Sequence, residues 1–240
     1  MVNNTQEQGQ GGGAKCADSA LQDGDVLAFH ASASGGPPIR ICALRPSSHP
    51  ELADAVEAQH REALRRHGVA GMVSMTSPLR AMSATWLLVA EAPGDGCMAG
   101  VRVDLRDGAH ALPLERALAP FGREQLARLR RSFVGRVGEL AGLWVREDAR
   151  KLGLAGALIS AGVAAARRAG LTRLFAFPPR HTRAFFDATG FRVLRALGDE
   201  GEFLYPNEHY RSYAMDLDLV GGTAEAPRVV CKAVHEERFI

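Results

Sequence analysis

Leu143-Trp144-Val145-Arg146-Glu147-Asp148-Ala149-Arg150-Lys151-Leu152-Gly153-Leu154-Ala155 runs from an apolar stretch, through a charged turn, into the head of an Ala-rich segment. The apolar part reads as a strand over 139–145 and the Ala-rich part as a helix over 153–169. A helix start exposes N–H groups without intrahelical partners and the positive end of the macrodipole, so it suits an anion. Gly153 and Ala155 leave room for a phosphate to reach the backbone, and Arg150 and Lys151 add charge. Small residues at such a turn also serve close packing alone, and that alternative stands beside the anion site.

Outward from this turn, the sequence alternates strands and helices. Residues 39–44 read as a first strand and 51–67 as a helix stopped by Gly68. Residues 86–90 and 98–104 form a hairpin across Pro93-Gly94-Asp95-Gly96. The connection 105–137 is too long for a turn and holds a helix near 123–133. After the central strand and helix come a strand at 171–177, a helix at 182–189, and strands near 191–197 and 212–219. This order predicts an α/β fold, a mixed sheet with helices on both faces and with the strands near 139–145 and 171–177 side by side and parallel in its middle.

The chain has 240 residues, 46% of them hydrophobic, which is enough for one core. Residues 1–36 begin Gln-, Gly- and Asn-rich and read as a flexible segment, although 26–30 has the pattern of a short strand. Residues 37–220 form the domain, and 221–240 a tail. A net charge of +2 gives no global reason to expect nucleic acid. No apolar stretch reaches the roughly 20 residues of a membrane span, and the N-terminus lacks the pattern of a secretory signal. Cys16, Cys42, Cys97 and Cys231 are scattered, which argues against a disulfide framework or a metal site and for a cytoplasmic protein with reduced thiols.

The central stretch resembles the acyl-CoA-binding motif of the GNAT N-acetyltransferases, L-x-V-x-x-x-x-[QR]-x-x-G-x-[GA]. Leu143, Val145, Arg150, Gly153 and Ala155 fall on its positions. Ala184-Phe185-Phe186-Asp187-Ala188-Thr189-Gly190-Phe191 resembles the family's next helix and Gly-Phe turn. The likeness covers roughly 39–219 and is most specific over 139–191. It implies a mostly antiparallel sheet whose central parallel pair splays apart, with acetyl-CoA or another acyl-CoA between the two strands as co-substrate. Pantetheine would pair with the backbone of Leu143, Trp144 and Val145. The diphosphate would lie on Arg150, Lys151, Leu152, Gly153, Leu154 and Ala155, and an N–H near Val145 would polarise the thioester carbonyl. The activity implied is acyl transfer, acetyl first, to the primary amine of a small molecule within a direct ternary complex.

Such transfer needs a base for the attacking amine. Glu139 stands where several members of that family carry a glutamate; a solvated carboxylate at a strand end is an equal reading. Glu91 and Glu115 are weaker candidates. Many members place a tyrosine four residues before the Gly-Phe turn to protonate the thiolate, and this chain has Phe186 there. Tyr205 is the substitute named here, with Tyr210 and Tyr213 behind it; a structural tyrosine is the competing reading. The departure at Phe186 keeps open a non-catalytic acyl-CoA-binding or sensor module.

A more distant likeness links Gly138-Glu139-Leu140-Ala141-Gly142-Leu143-Trp144-Val145 to acyl-homoserine-lactone and N-acyl amino acid synthases. Those proteins usually carry an arginine where this chain has Gly142. The likeness implies a second donor, acyl carrier protein with a long acyl chain, docked by Arg123, Arg128, Arg130, Arg131 and Arg136; a solvated helix face is the alternative. His60 and His67 read as partly exposed on one helix, and His181 as a neighbour of a helix cap. The sequence leaves oligomeric state open, a homodimer included.

Overall fold

The computed structural model describes residues 20–30, 38–69, 71, 77–108 and 110–220. The expectations for residues 1–19, 31–37 and 221–240 lie outside the described residues. Ten strands and five α-helices follow in chain order: β1 (Asp25–His30), β2 (Ile39–Leu44), α1 (Pro50–Arg66), β3 (Thr85–Ala92), β4 (Gly96–Leu105), α2 (Pro113–Leu118), α3 (Arg123–Arg131), β5 (Val137–Val145), α4 (Leu154–Arg168), β6 (Arg173–Ala176), α5 (Arg180–Ala188), β7 (Arg192–Val193), β8 (Glu202–Leu204), β9 (Arg211–Tyr213) and β10 (Met215–Asp218).

Eight strands form one sheet in the order β1-β2-β3-β4-β5-β6-β10-β7, and β8 and β9 form a separate ribbon. Every pairing in the main sheet is antiparallel except β5 with β6. A parallel pair needs a long crossover, and α4 with its preceding turn supplies it. The fold is therefore the mixed sheet that the element order predicted, mostly antiparallel with one parallel pair, as the GNAT resemblance implied.

Alternation along the strands divides the core. Ile41, Leu88, Val101, Val103, Leu140 and Leu174 face α4 and Phe186 of α5. On the other face Cys42, Leu87, Val89 and Trp144 pack under α1. Val137 and Phe175 pack there with Leu114 of α2 and Leu129 of α3. Helix α1 starts at Pro50 with Glu51 in its first turn and ends with Arg65 and Arg66, charges that complement its dipole. Helix α4 approaches β5 so closely that a Cβ at Gly162 would run into Leu140.

Two regions differ from the sequence expectation. The strand read over 212–219 divides at Ala214. Its N–H donates to the Gly201 carbonyl, while its own carbonyl accepts from Leu194. Residues before it join the ribbon, and those after it join the sheet. The strand read over 191–197 shrinks to Arg192–Val193 because Leu197 turns back to bond the Leu194 carbonyl. Strand β1 pairs along β2, so part of the segment ahead of residue 37 is built into the sheet.

Candidate active site

Strands β5 and β6 are paired only from Val137↔Arg173 to Leu140↔Ala176. Beyond that point β6 ends and Phe177-Pro178-Pro179 leads away, so Ala141–Val145 has no partner on that side among the described residues. On its other side β5 stays paired to β4, with Gly100↔Trp144 and Ala99↔Val145. The Arg146 N–H donates to the Met98 carbonyl of β4 at 2.8 Å. Successive N–H groups of a strand point to opposite edges, so the Val145 N–H points into the split.

At the end of β5 a 3₁₀ turn, Glu147–Leu152, leads to Gly153, whose left-handed φ of 75° caps α4. The first residue whose N–H bonds back along α4 is Ala157, to the Gly153 carbonyl at 3.3 Å. The N–H groups of Leu154, Ala155 and Gly156 therefore have no intrahelical partner. Arg150, Lys151 and Gly153 are exposed, Leu152 and Ala155 half-buried, and the Leu154 side chain is in the core. The turn is open and small-residue-lined, which fits a diphosphate. Leu143 and Val145 border the α4 face of the core. The Trp144 indole faces the opposite way, over Gly100, where a Cβ would come within 2.8 Å of its Nε1.

Glu139 is 1% exposed. It lies within β5 rather than at its end, so it is not a solvated strand-end carboxylate. Its Oε2 accepts the Leu114 N–H at 2.6 Å. Burial pushes its carboxyl up to about 8, with the Asp104 carboxylate adding to the rise; the Leu114 N–H, Arg102 and Arg116 act the other way. The phenol of Tyr205 is raised by its own burial and then by the charge of Glu139. Its ring packs on Phe177 at 5.3 Å. Phe186 is buried and meets Phe191 edge-on at 5.2 Å, inside the α4 cluster.

The sequence reading missed a buried polar row on the same face as Glu139. Arg102 and Asp104 are paired at 2.8 Å with side chains 10% and 6% exposed. Thr85 Oγ donates to Asp104 at 2.7 Å. Asp104 sits opposite Glu139 across the β4–β5 ladder. At Gly142, φ is 64° and β5 carries a bulge where Gly142 and Leu143 oppose one residue of β4. A Cβ there would lie 3.1 Å from an Arg102 guanidinium nitrogen. Arg102, Gly142, His60 and Glu57 line a cavity of about 10 Å³ under α1, room for about one water. Burial first, then Arg102 and Arg61, lower His60 to about 4, so its imidazole is neutral.

The last turn of α1 touches both sides of the split. Arg66 pairs with Glu147, beyond β5, at 2.7 Å. The His67 ring stacks on His181 of α5 at 4.9 Å and 20°. Glu91 lies near the β3–β4 hairpin, facing Arg40 at 3.9 Å, and Glu115 is held by Arg106 and Arg130. Neither belongs to this site. Arg128 pairs with Glu124 on exposed α3.

The fold and site define a GNAT-like α/β protein with an open split in its sheet beside a glycine-capped helix. Residues 124–191, from α3 to the Gly-Phe turn, match the Acetyltransferase (GNAT) family. Among solved structures the chain is similar to FeeM, an N-acyl amino acid synthase from uncultured soil microbes. Identity is 16%, with 75% of this chain and 94% of that one covered and a TM-score of 0.54. It is also similar to MesI, a CoA-dependent acyl-homoserine lactone synthase, at 13% identity, 78% and 91% coverage and a TM-score of 0.51. No curated protein sequence matches the chain significantly.

No helix of the described residues is long and apolar enough to cross a membrane.

Proposed function

We propose that this chain is an N-acyltransferase that moves an acyl group, acetyl in the first instance, from acyl-CoA to a small primary amine in one ternary complex. The observation that carries the reading is the parting of β5 and β6 just beyond Glu139, with the open first turn of α4 at its far end. Pantetheine pairs with β5 along residues 143–145, and the diphosphate takes the N–H groups that open α4, with Arg150 and Lys151 beside it. Val145 N–H donates to the thioester carbonyl as negative charge develops there.

The amine nitrogen attacks the thioester carbon, the C–N bond forms, and the C–S bond breaks. Glu139 takes the proton that the amine gives up, through water where the amine does not reach it. The thiolate departs and is protonated by Tyr205 or by solvent; a thiol with an ordinary pKa of about 8.5 leaves with little help. Calorimetry with acetyl-CoA tests the site: the wild type binds and Gly153→Trp does not. Equal binding by both would remove the assignment, and binding without turnover over a broad amine panel would make the protein a sensor rather than an enzyme.

A further inference from the structure

The diphosphate turn has a neighbour from the far edge of the sheet. Strand β1 runs along α4. At one end Arg168 meets Asp25 at 2.5 Å and the Leu21 N–H reaches the Arg168 carbonyl. At the other end the half-buried ring of His30 reaches the Leu152 carbonyl through Nε2. A carbonyl oxygen only accepts, so Nε2 carries the hydrogen and donates it. The same ring lies 3.5 Å from where a Cβ of Gly153 would be.

We infer that His30 is a positioning residue of the acyl-CoA diphosphate site: it anchors the Leu152 carbonyl and thereby aims the first turn of α4 at the diphosphate. The inference rests on the acyl-CoA reading above. A peptide group is planar, so fixing its oxygen fixes the plane of the Leu152–Gly153 peptide. That plane precedes Gly153, the left-handed residue between the 3₁₀ turn and α4. Glycine is also the residue most free to rotate, and nothing in its own side chain holds this corner. A hydrogen bond from outside the turn removes that freedom before the ligand arrives, which lowers the ordering cost of binding. His30 thus gives the edge strand a role at a site 122 residues away in sequence.

The test compares two ligands in the full chain. CoA carries the diphosphate, and S-acetylpantetheine carries the reacting end without it. His30→Ala should weaken CoA binding about five- to tenfold, the loss of one hydrogen bond. S-acetylpantetheine, which lacks the diphosphate, should lose less affinity in the variant than CoA does. His30→Gln, which keeps an N–H at similar reach, should recover most of the CoA affinity.

The inference is overturned if His30→Ala binds CoA as tightly as the wild type. It is equally overturned if both ligands suffer alike, or if Gln fails to rescue at unchanged melting temperature, since His30 would then only dock β1. A wild type that shows no affinity for CoA would instead remove the acyl-CoA reading itself, and this inference with it.

Discussion

Glu139 and Asp104 sit opposite one another across the β4–β5 ladder, and only Glu139 takes its hydrogen bond from a backbone N–H, that of Leu114 at 2.6 Å. Asp104 is held by Arg102 and Thr85. Burial first, and then the Asp104 carboxylate, push Glu139 up to about 8. A carboxyl tuned near neutral pH is suited to take a proton from an amine and give it back to water.

Activity should therefore rise as pH passes through about 8, where Glu139 loses its proton. Glu139→Gln should lower kcat by about a hundredfold or more, leave the KM for the acyl donor unchanged, and abolish that titration. A pH–rate profile of both proteins with one amine checks this. A variant that keeps the wild-type rate and profile would remove Glu139 as the base.

The same shift predicts how stability depends on pH. Its folded pKa lies above the ordinary 4.5, so the folded state holds the proton more tightly than the unfolded chain. The stabilisation from Glu139 is complete below 4.5 and is lost as pH rises to about 8. Glu139→Gln cannot ionise and should lose that slope, becoming the more stable of the two above pH 8. Denaturant melts at several pH values give the slopes. Parallel curves would mean the carboxyl titrates normally.

Asp104→Asn should be costly in two separable ways. It takes from Arg102 a carboxylate that faces it in a buried site, which costs on the order of 3–5 kcal/mol. It also removes a charge that raises Glu139, so the activity midpoint should move to lower pH. Unfolding measures the first effect and the pH–rate profile the second. A midpoint that stays put while stability falls would show that Asp104 serves the fold alone.

Much of this was readable beforehand because the sequence patterns were local. The hairpin turn at Pro93, the strand-to-helix passage at residues 143–155 and the Ala-rich α4 each declare themselves within a few residues. The polar row did not. In Arg102-Val103-Asp104 the charges alternate with an apolar residue, the pattern of a strand with one wet face, yet α1, from much earlier in the chain, covers Arg102 on that face. His30 escaped for a similar reason. Its partner is a main-chain oxygen with no sequence signature, so the short strand pattern at 26–30 gave no sign of what its last residue would meet. His67 and His181 likewise meet only because α1 spans the split.

Tyr205 is the proton donor proposed for the thiolate, and its role as donor is separable from its role as packing. Its N–H gives to Tyr210 at 2.8 Å and its carbonyl accepts from Ser212 at 3.0 Å, so the backbone is fixed. Burial and the nearby Glu139 both raise the phenol, which keeps its proton available at the pH where Glu139 has lost its own. Phe186, at the position of the tyrosine found in many GNAT proteins, faces an apolar cluster and has nothing to donate. Tyr205→Phe should lower kcat with acetyl-CoA about tenfold or more without changing donor KM. The deficit should shrink with a thioester whose thiol is more acidic, because a better leaving group needs the proton less. Steady-state rates for two thioesters with the same amine decide it. A deficit of equal size for both would mean that the ring packs against Phe177 and donates nothing to the thiolate.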